Sequence, residues 1–237
     1  FAPGPGTGLL TSGFAFDNFN RRVFISDGKN NRVLVFDSRR DRLVNGANAT
    51  GVLGQPDFNT NQPRVSDDGM NFPGHLAYDQ KHQRLFVLDS RNERALVFDV
   101  APERFETGMP AKVVIGQPDF DTKLSPQQRQ PTSISSAFSN ALGDGRATAK
   151  EISSALGITY DSNKEHLYIT DTTHDRIMVF DAAPDRLENN PTAIAVLGQA
   201  STTSHAPQSL GQYSAQDQME SPKGIAFDNL HRKLFAV

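Results

Sequence analysis

Apolar residues in this chain fall into short strand-sized runs, each closed by an aspartate and separated by polar turns, with no sustained helical spacing. One unit carries most of the pattern. Residues 74–99 read GHLAYDQKHQRLFVLDSRNERALVFD, and the same order returns at 13–37, GFAFDNFNRRVFISDGKNNRVLVFD, and at 157–181, GITYDSNKEHLYITDTTHDRIMVFD. A fourth copy, GIAFDNLHRKLFAV, occupies 224–237. Repetition on this scale decides the fold class before any single motif does.

Each copy predicts short strands. The first follows a Gly and stops at an Asp. The second, at 85–88 or 167–170, is almost wholly apolar, as expected of a strand covered on both faces. A four-residue turn follows at 28–31, 90–93 and 172–175, and the third strand runs from an Arg to Phe-Asp, ending at Asp37, Asp99 and Asp181. After a hairpin bearing Asp41-Arg42-Leu43, Glu103-Arg104-Phe105 or Asp185-Arg186-Leu187, a fourth strand is expected over 52–55, 114–117 and 196–199. Four such strands form one small antiparallel sheet, which cannot cover both of its apolar faces. The copies must therefore stack radially, as all-β blades of a β-propeller.

Pro222-Lys223-Gly224-Ile225-Ala226-Phe227-Asp228 and Asp27-Gly28-Lys29-Asn30-Asn31-Arg32-Val33 resemble the repeat of the NHL family of β-propellers. The Gly-Gln-Pro-Asp-Phe tags at 54–58 and 116–120 are similar to those of a bacterial subgroup. The resemblance covers the repeat cores and implies four-stranded NHL-type blades at about 13–55, 74–117 and 157–199, with half of a fourth at 224–237. It also implies an exported protein. Between the blades lie connectors at 56–73, 118–156 and 200–221, and within the longest of them residues 147–156 have the composition of a short helix. Three and a half blades fall short of a closed ring. Two expectations follow: a piece of a longer, processed or truncated chain, or a homodimer whose second copy completes the ring.

Composition narrows the function. A net charge of -3, with basic pairs interleaved among acids, supplies no global basic field for nucleic acid. The chain has no cysteine, which rules out disulfides and thiolate metal sites. No apolar run approaches the length of a membrane helix. Asn48-Ala49-Thr50 fits a glycosylation sequon, a pattern of little specificity.

Propeller topology sends the second turn, the long connectors and the start of each inner strand to one face. His75 stands at the start of an inner strand, where the other copies carry Phe14, Ile158 and Ile225. It is the candidate metal ligand or base. Lys29, Arg91 and His174 lie in second turns and are candidate rim residues for a ligand, while His82, His166 and His231 belong to the opposite face. The recurring pairs Asp27 and Arg32, Asp89 and Arg94, Asp171 and Arg176 read as structural, because they return with every blade. The aspartates are placed to accept amides of the following turn and the arginines to pair with them.

The favoured reading is a non-catalytic scaffold, with no cofactor, binding a protein, peptide or glycan through the connector face. The alternative, implied by relatives such as peptidyl-α-hydroxyglycine amidating lyase, is a lyase or hydrolase with a divalent metal in the central channel. No nucleic-acid partner is expected.

Overall fold

The computed structural model describes residues 13–124, 147–203 and 218–237. It contains three four-stranded antiparallel sheets and one two-stranded sheet. Blade one comprises β1 (Phe14–Asp17), β2 (Arg22–Asp27), β3 (Arg32–Asp37) and β4 (Gly51–Leu53). Blade two comprises β5 (Pro73–Asp79), β6 (Arg84–Asp89), β7 (Arg94–Asp99) and β8 (Val113–Ile115). Blade three comprises β9 (Ile158–Asp161), β10 (His166–Asp171), β11 (Arg176–Asp181) and β12 (Ala195–Leu197), and blade four β13 (Ile225–Asp228) and β14 (Lys233–Ala236). The innermost strands β1, β5, β9 and β13 adjoin one another in chain order. This is the stacking of propeller blades, as the repeat predicts.

The apolar second strand is covered on both faces because its side chains alternate between two seams. From β6, Leu85 and Val87 join a core with Phe24, Val33 and Val35 of blade one. Phe86 and Leu88 join a second core with Ile158, Tyr160 and Leu167 of blade three. At each seam an aromatic of one blade's second strand stacks on the inner strand of the next. Phe24 lies 5.7 Å from Tyr78, Phe86 5.3 Å from Tyr160, and Tyr168 5.7 Å from Phe227. Such pairs add about 0.5–1.5 kcal/mol beyond their area burial.

Two local expectations are corrected. The fourth strands stop before the Gly-Gln pair, because Gly54, Gly116 and Gly198 adopt φ of 83°, 91° and 88° and turn the chain out of the ladder. A Cβ at Gly116 would also stand 2.4 Å from Ile152, so this backbone is pressed against the connector. Residues 147–156 form no helix. Glu151 instead makes a parallel bridge to Gly116, and the Thr148 and Glu151 carbonyls accept hydrogen bonds from Arg176. The segment is drawn into these tertiary contacts, and weak helical propensity gives way to them.

Candidate binding face

The structure repeats an Asp-to-Arg spacing of five residues at more than one hairpin of blades one, two and three. In the β6–β7 hairpin of blade two and the β10–β11 hairpin of blade three the pair lies wholly inside: Arg94 Nε to Asp89 at 2.8 Å and Arg176 Nε to Asp171 at 2.8 Å, all four side chains at 0% exposure. The guanidinium then fastens the connectors. Arg94 donates to the carbonyls of Phe120, Ser66 and Gly69, and Arg176 to those of Thr202, Thr148 and Glu151. Arg32 repeats the outgoing contact, donating to Phe58 O at 2.6 Å. Each arginine thus ties down the connector that leaves its blade. In blades two and three it also holds the connector that enters.

The aspartates act differently from expectation. Asp89 and Asp171 accept backbone amides of the preceding connector, from Asn71 N at 2.6 Å and Ser153 N at 3.1 Å, and no backbone amide of the following turn. Each turn is a single 3-10 turn closed by a left-handed residue, Asn31, Glu93 or Asp175. The side chain two residues ahead of each Arg reaches back instead: Asn30 to Asp27, Asn92 to Asp89 and His174 Nδ1 to Asp171. Burial pushes the Asp89 carboxyl up, while Arg94 and the Asn71 and Asn92 donors pull against it. Gln55 and Gln117 complete the lashing by donating to carbonyls of the same turn, Asn31 O and Asn92 O. That accounts for the Gly-Gln pair of the tag.

The predicted rim residues separate. Lys29 and Arg91 are exposed on neighbouring blades. Between them sits Phe72, a residue that sequence reasoning passed over. The Arg91 guanidinium lies 4.5 Å from the Phe72 ring centroid, and Gly28 abuts the same ring. Phe72 is fixed in the left-handed region, φ 57°, by a hydrogen bond from its amide to Asn31 Oδ1 at 2.8 Å. The signal was available in the Phe72-Pro73 and Ser221-Pro222 steps, because Ser221 repeats the conformation and donates to Asp175 Oδ1. His174 is not on a rim: its side chain is 1% exposed and bound to Asp171.

His75 needs a correction of register. Leu76, not His75, pairs in the place of Phe14, Ile158 and Ile225, opposite Val87. Blade two carries one additional residue, and the ladder shifts between Pro73 and Leu76, so His75 belongs to a β-bulge. It is half-buried, and desolvation lowers its pKa, favouring the neutral imidazole. The bulge lies close against blade one's backbone: a Cβ on Gly13 would stand 2.6 Å from the His75 Cα. Among the described residues no group of three or more His, Asp or Glu gathers as a metal site.

On the opposite face the first-hairpin arginines cross the seams. Arg22 binds Asp17 and the Val100 carbonyl of blade two, both at 2.6 Å, and Arg84 binds Asp79 and the Ala182 carbonyl of blade three, also at 2.6 Å. Here the aspartates do accept amides of the turn, as at Asn20 and His82. Burial raises the Asp17 pKa, but hydrogen bonds from Asn20, Arg22 and Gln80 outweigh it and bring the carboxyl down to about 2. A cavity of ≈ 550 Å³ opens beside Arg84, lined also by Lys81, Asp99, Arg104 and Lys112. Its cations are mostly committed, Lys81 to Glu165 and Arg104 to Asp99 and Glu103.

No protein-family model and no curated protein matches the chain. A solved structure does. The crystal structure of an auxiliary nutrient binding protein from Bacteroides thetaiotaomicron aligns with a TM-score of 0.52 over 94% of this chain, at 12% identity. The chain spans 44% of that structure, and likeness at this identity establishes the fold alone. Among the described residues no helix is long and apolar enough to cross a membrane.

Proposed function

We propose that this chain is a non-catalytic NHL-type binding module whose connector face receives a protein, peptide or glycan outside the cytoplasm. The observation that carries the reading is the use made of Arg94 and Arg176. Their guanidinium groups are buried among connector carbonyls, so the described connector segments at 66–69 and 148–151 are held in place before any partner arrives. A pre-ordered face loses less conformational entropy on binding, and loops on a rigid scaffold are the usual carriers of recognition. The exposed Lys29 and Arg91, set around Phe72, supply charge and an aromatic surface at the seam of blades one and two. The solved neighbour is a nutrient binding protein, which agrees with this class of function.

The test is a calorimetric screen of the 237-residue chain against soluble oligosaccharides and unstructured peptides, repeated with a Lys29→Ala, Arg91→Ala variant. Binding weakened about tenfold or more, with the melting temperature unchanged, is expected. Binding that survives this variant but is lost on Lys112→Ala would move the site to the opposite face. A divalent metal bound by the protein and lost in His75→Ala would favour the channel enzyme instead.

A further inference from the structure

The seam between blades two and three differs from the seam before it on the face opposite the connectors. At the first seam Phe105, from blade two's β7–β8 hairpin, lies over blade one's fourth strand: a Cβ on Gly51 would stand 2.4 Å from its ring. The same ring is 5.8 Å from the Arg22 guanidinium. Leu187 takes that hairpin position in blade three, following Asp185-Arg186 as Phe105 follows Glu103-Arg104. Where the first seam has a ring, the second has the cavity of ≈ 550 Å³, whose apolar lining is Val97, Val113, Pro184 and Leu187.

Polar residues that break the repeat gather at the same cavity. Lys81 and His82 stand where blade one has Phe19 and Asn20. Lys112 stands where blade one has Thr50 and blade three Ile194, the three amides donating to the matching carbonyls of Val97, Val35 and Val179. The carboxylates beside the cavity are already engaged: Asp79 by Arg84 and His82, Glu165 by Lys81, and Asp99 and Glu103 by Arg104. Donors remain. Arg84 is buried with its guanidinium 5.4 Å from the Phe86 ring centroid, and it uses Nε and Nη2 on Asp79 and the Ala182 carbonyl. Among the described residues nothing accepts from its Nη1, whereas the Nη1 groups of Arg94 and Arg176 go to connector carbonyls. The Lys112 ammonium is exposed and has no hydrogen-bond or ion-pair partner among the described residues.

We infer that this cavity is a second binding site, separate from the connector face, for a small organic carboxylate. Arg84 Nη1 and the Lys112 ammonium receive the carboxylate, and Val97, Val113, Pro184 and Leu187 take the apolar body of the ligand. A site whose own carboxylates are satisfied and whose free groups are donors calls for a ligand that brings negative charge and acceptors. The Arg84 guanidinium is fixed by its ion pair with Asp79, so its remaining N–H groups meet a planar carboxylate with little further ordering. The volume falls within the range of about 300–1,000 Å³ usual for small-ligand pockets, which likewise combine apolar walls with a few polar groups.

Calorimetric titration of the 237-residue chain with benzoate and with phenylacetate should show saturable binding of one molecule per chain. Benzamide and phenylacetamide, which keep the ring and lose the charge, should bind at least about tenfold more weakly. Lys112→Ala should weaken benzoate binding about tenfold with the melting temperature unchanged, because the side chain it removes is exposed and unpaired. Leu187→Phe brings in the residue of the first seam and should abolish binding, with far-ultraviolet circular dichroism checking that the variant is folded. The Lys29→Ala, Arg91→Ala variant should bind benzoate as the wild-type chain does, which keeps the fate of this site apart from that of the connector face. No saturable binding of either carboxylate, equal binding of the amides, or benzoate affinity unchanged in Lys112→Ala would each overturn the inference.

Discussion

The β6–β7 and β7–β8 hairpins of blade two carry the same five-residue Asp-to-Arg spacing in opposite surroundings. Asp89 and Arg94 are buried at 0% exposure among connector carbonyls, whereas Asp99 and Arg104 are 28% and 52% exposed on the far face. Blade three repeats the contrast with Asp171 and Arg176 against Asp181 and Arg186. The first-hairpin pairs stand between these extremes, Asp17 buried and Arg22 12% exposed. A motif that looks uniform in sequence thus spans a large range of energetic weight. Water screens the outer pairs and competes for their hydrogen bonds. The inner pairs have no water to return to, so removing one partner strands a charge.

The largest effect should come from cutting the inner pair. Arg94→Ala leaves the Asp89 carboxylate buried and releases connector carbonyls on both sides, which predicts a loss of about 3–5 kcal/mol in urea unfolding. A loss no larger than that of the corresponding Arg104 variant would remove the distinction between the two hairpins. A middle-sized effect should appear at acid pH. The folded Asp17 carboxyl sits near 2, below its unfolded value of 3.8, so its contribution is present above about pH 4 and is lost as pH falls toward 2. The stability gap between the wild-type chain and Asp17→Asn should therefore narrow across that window. A gap that stays constant with pH would mean that Asp17 acts through shape alone. The smallest effect is at the far face, where Arg104→Ala and Arg186→Ala should leave the melting temperature within experimental scatter.

His75 and Leu76 show where sequence reading reached its limit. Aligned from Gly74, the histidine falls on the apolar position, but pairing runs back from Asp79, and the additional residue is absorbed as a bulge. A linear alignment has no means of choosing the end from which strands pair; the ladder does, through Asp79 opposite Arg84. Phe72 was missed for a related reason. It lies outside the strand pattern, and its importance comes from Arg91 and Gly28, which approach from neighbouring blades. His174 reads as a polar turn residue, yet folding buries it because Asp171 needs a third donor.

By itself the sequence determined the blade: the strand order, the apolar second strand, the turns and the recurrence of Asp with Arg. These depend on alternation, turn chemistry and repetition, which are local properties. Tertiary structure decided what each repeated residue was for. Burial separates a connector-fastening Arg94 from a solvated Arg104, and seam geometry stacks Phe24 on Tyr78 and Phe86 on Tyr160 across blades. The physical reason is that charge, hydrogen bonding and aromatic contact take their energies from surroundings contributed by other blades, and no single copy of the repeat contains those surroundings.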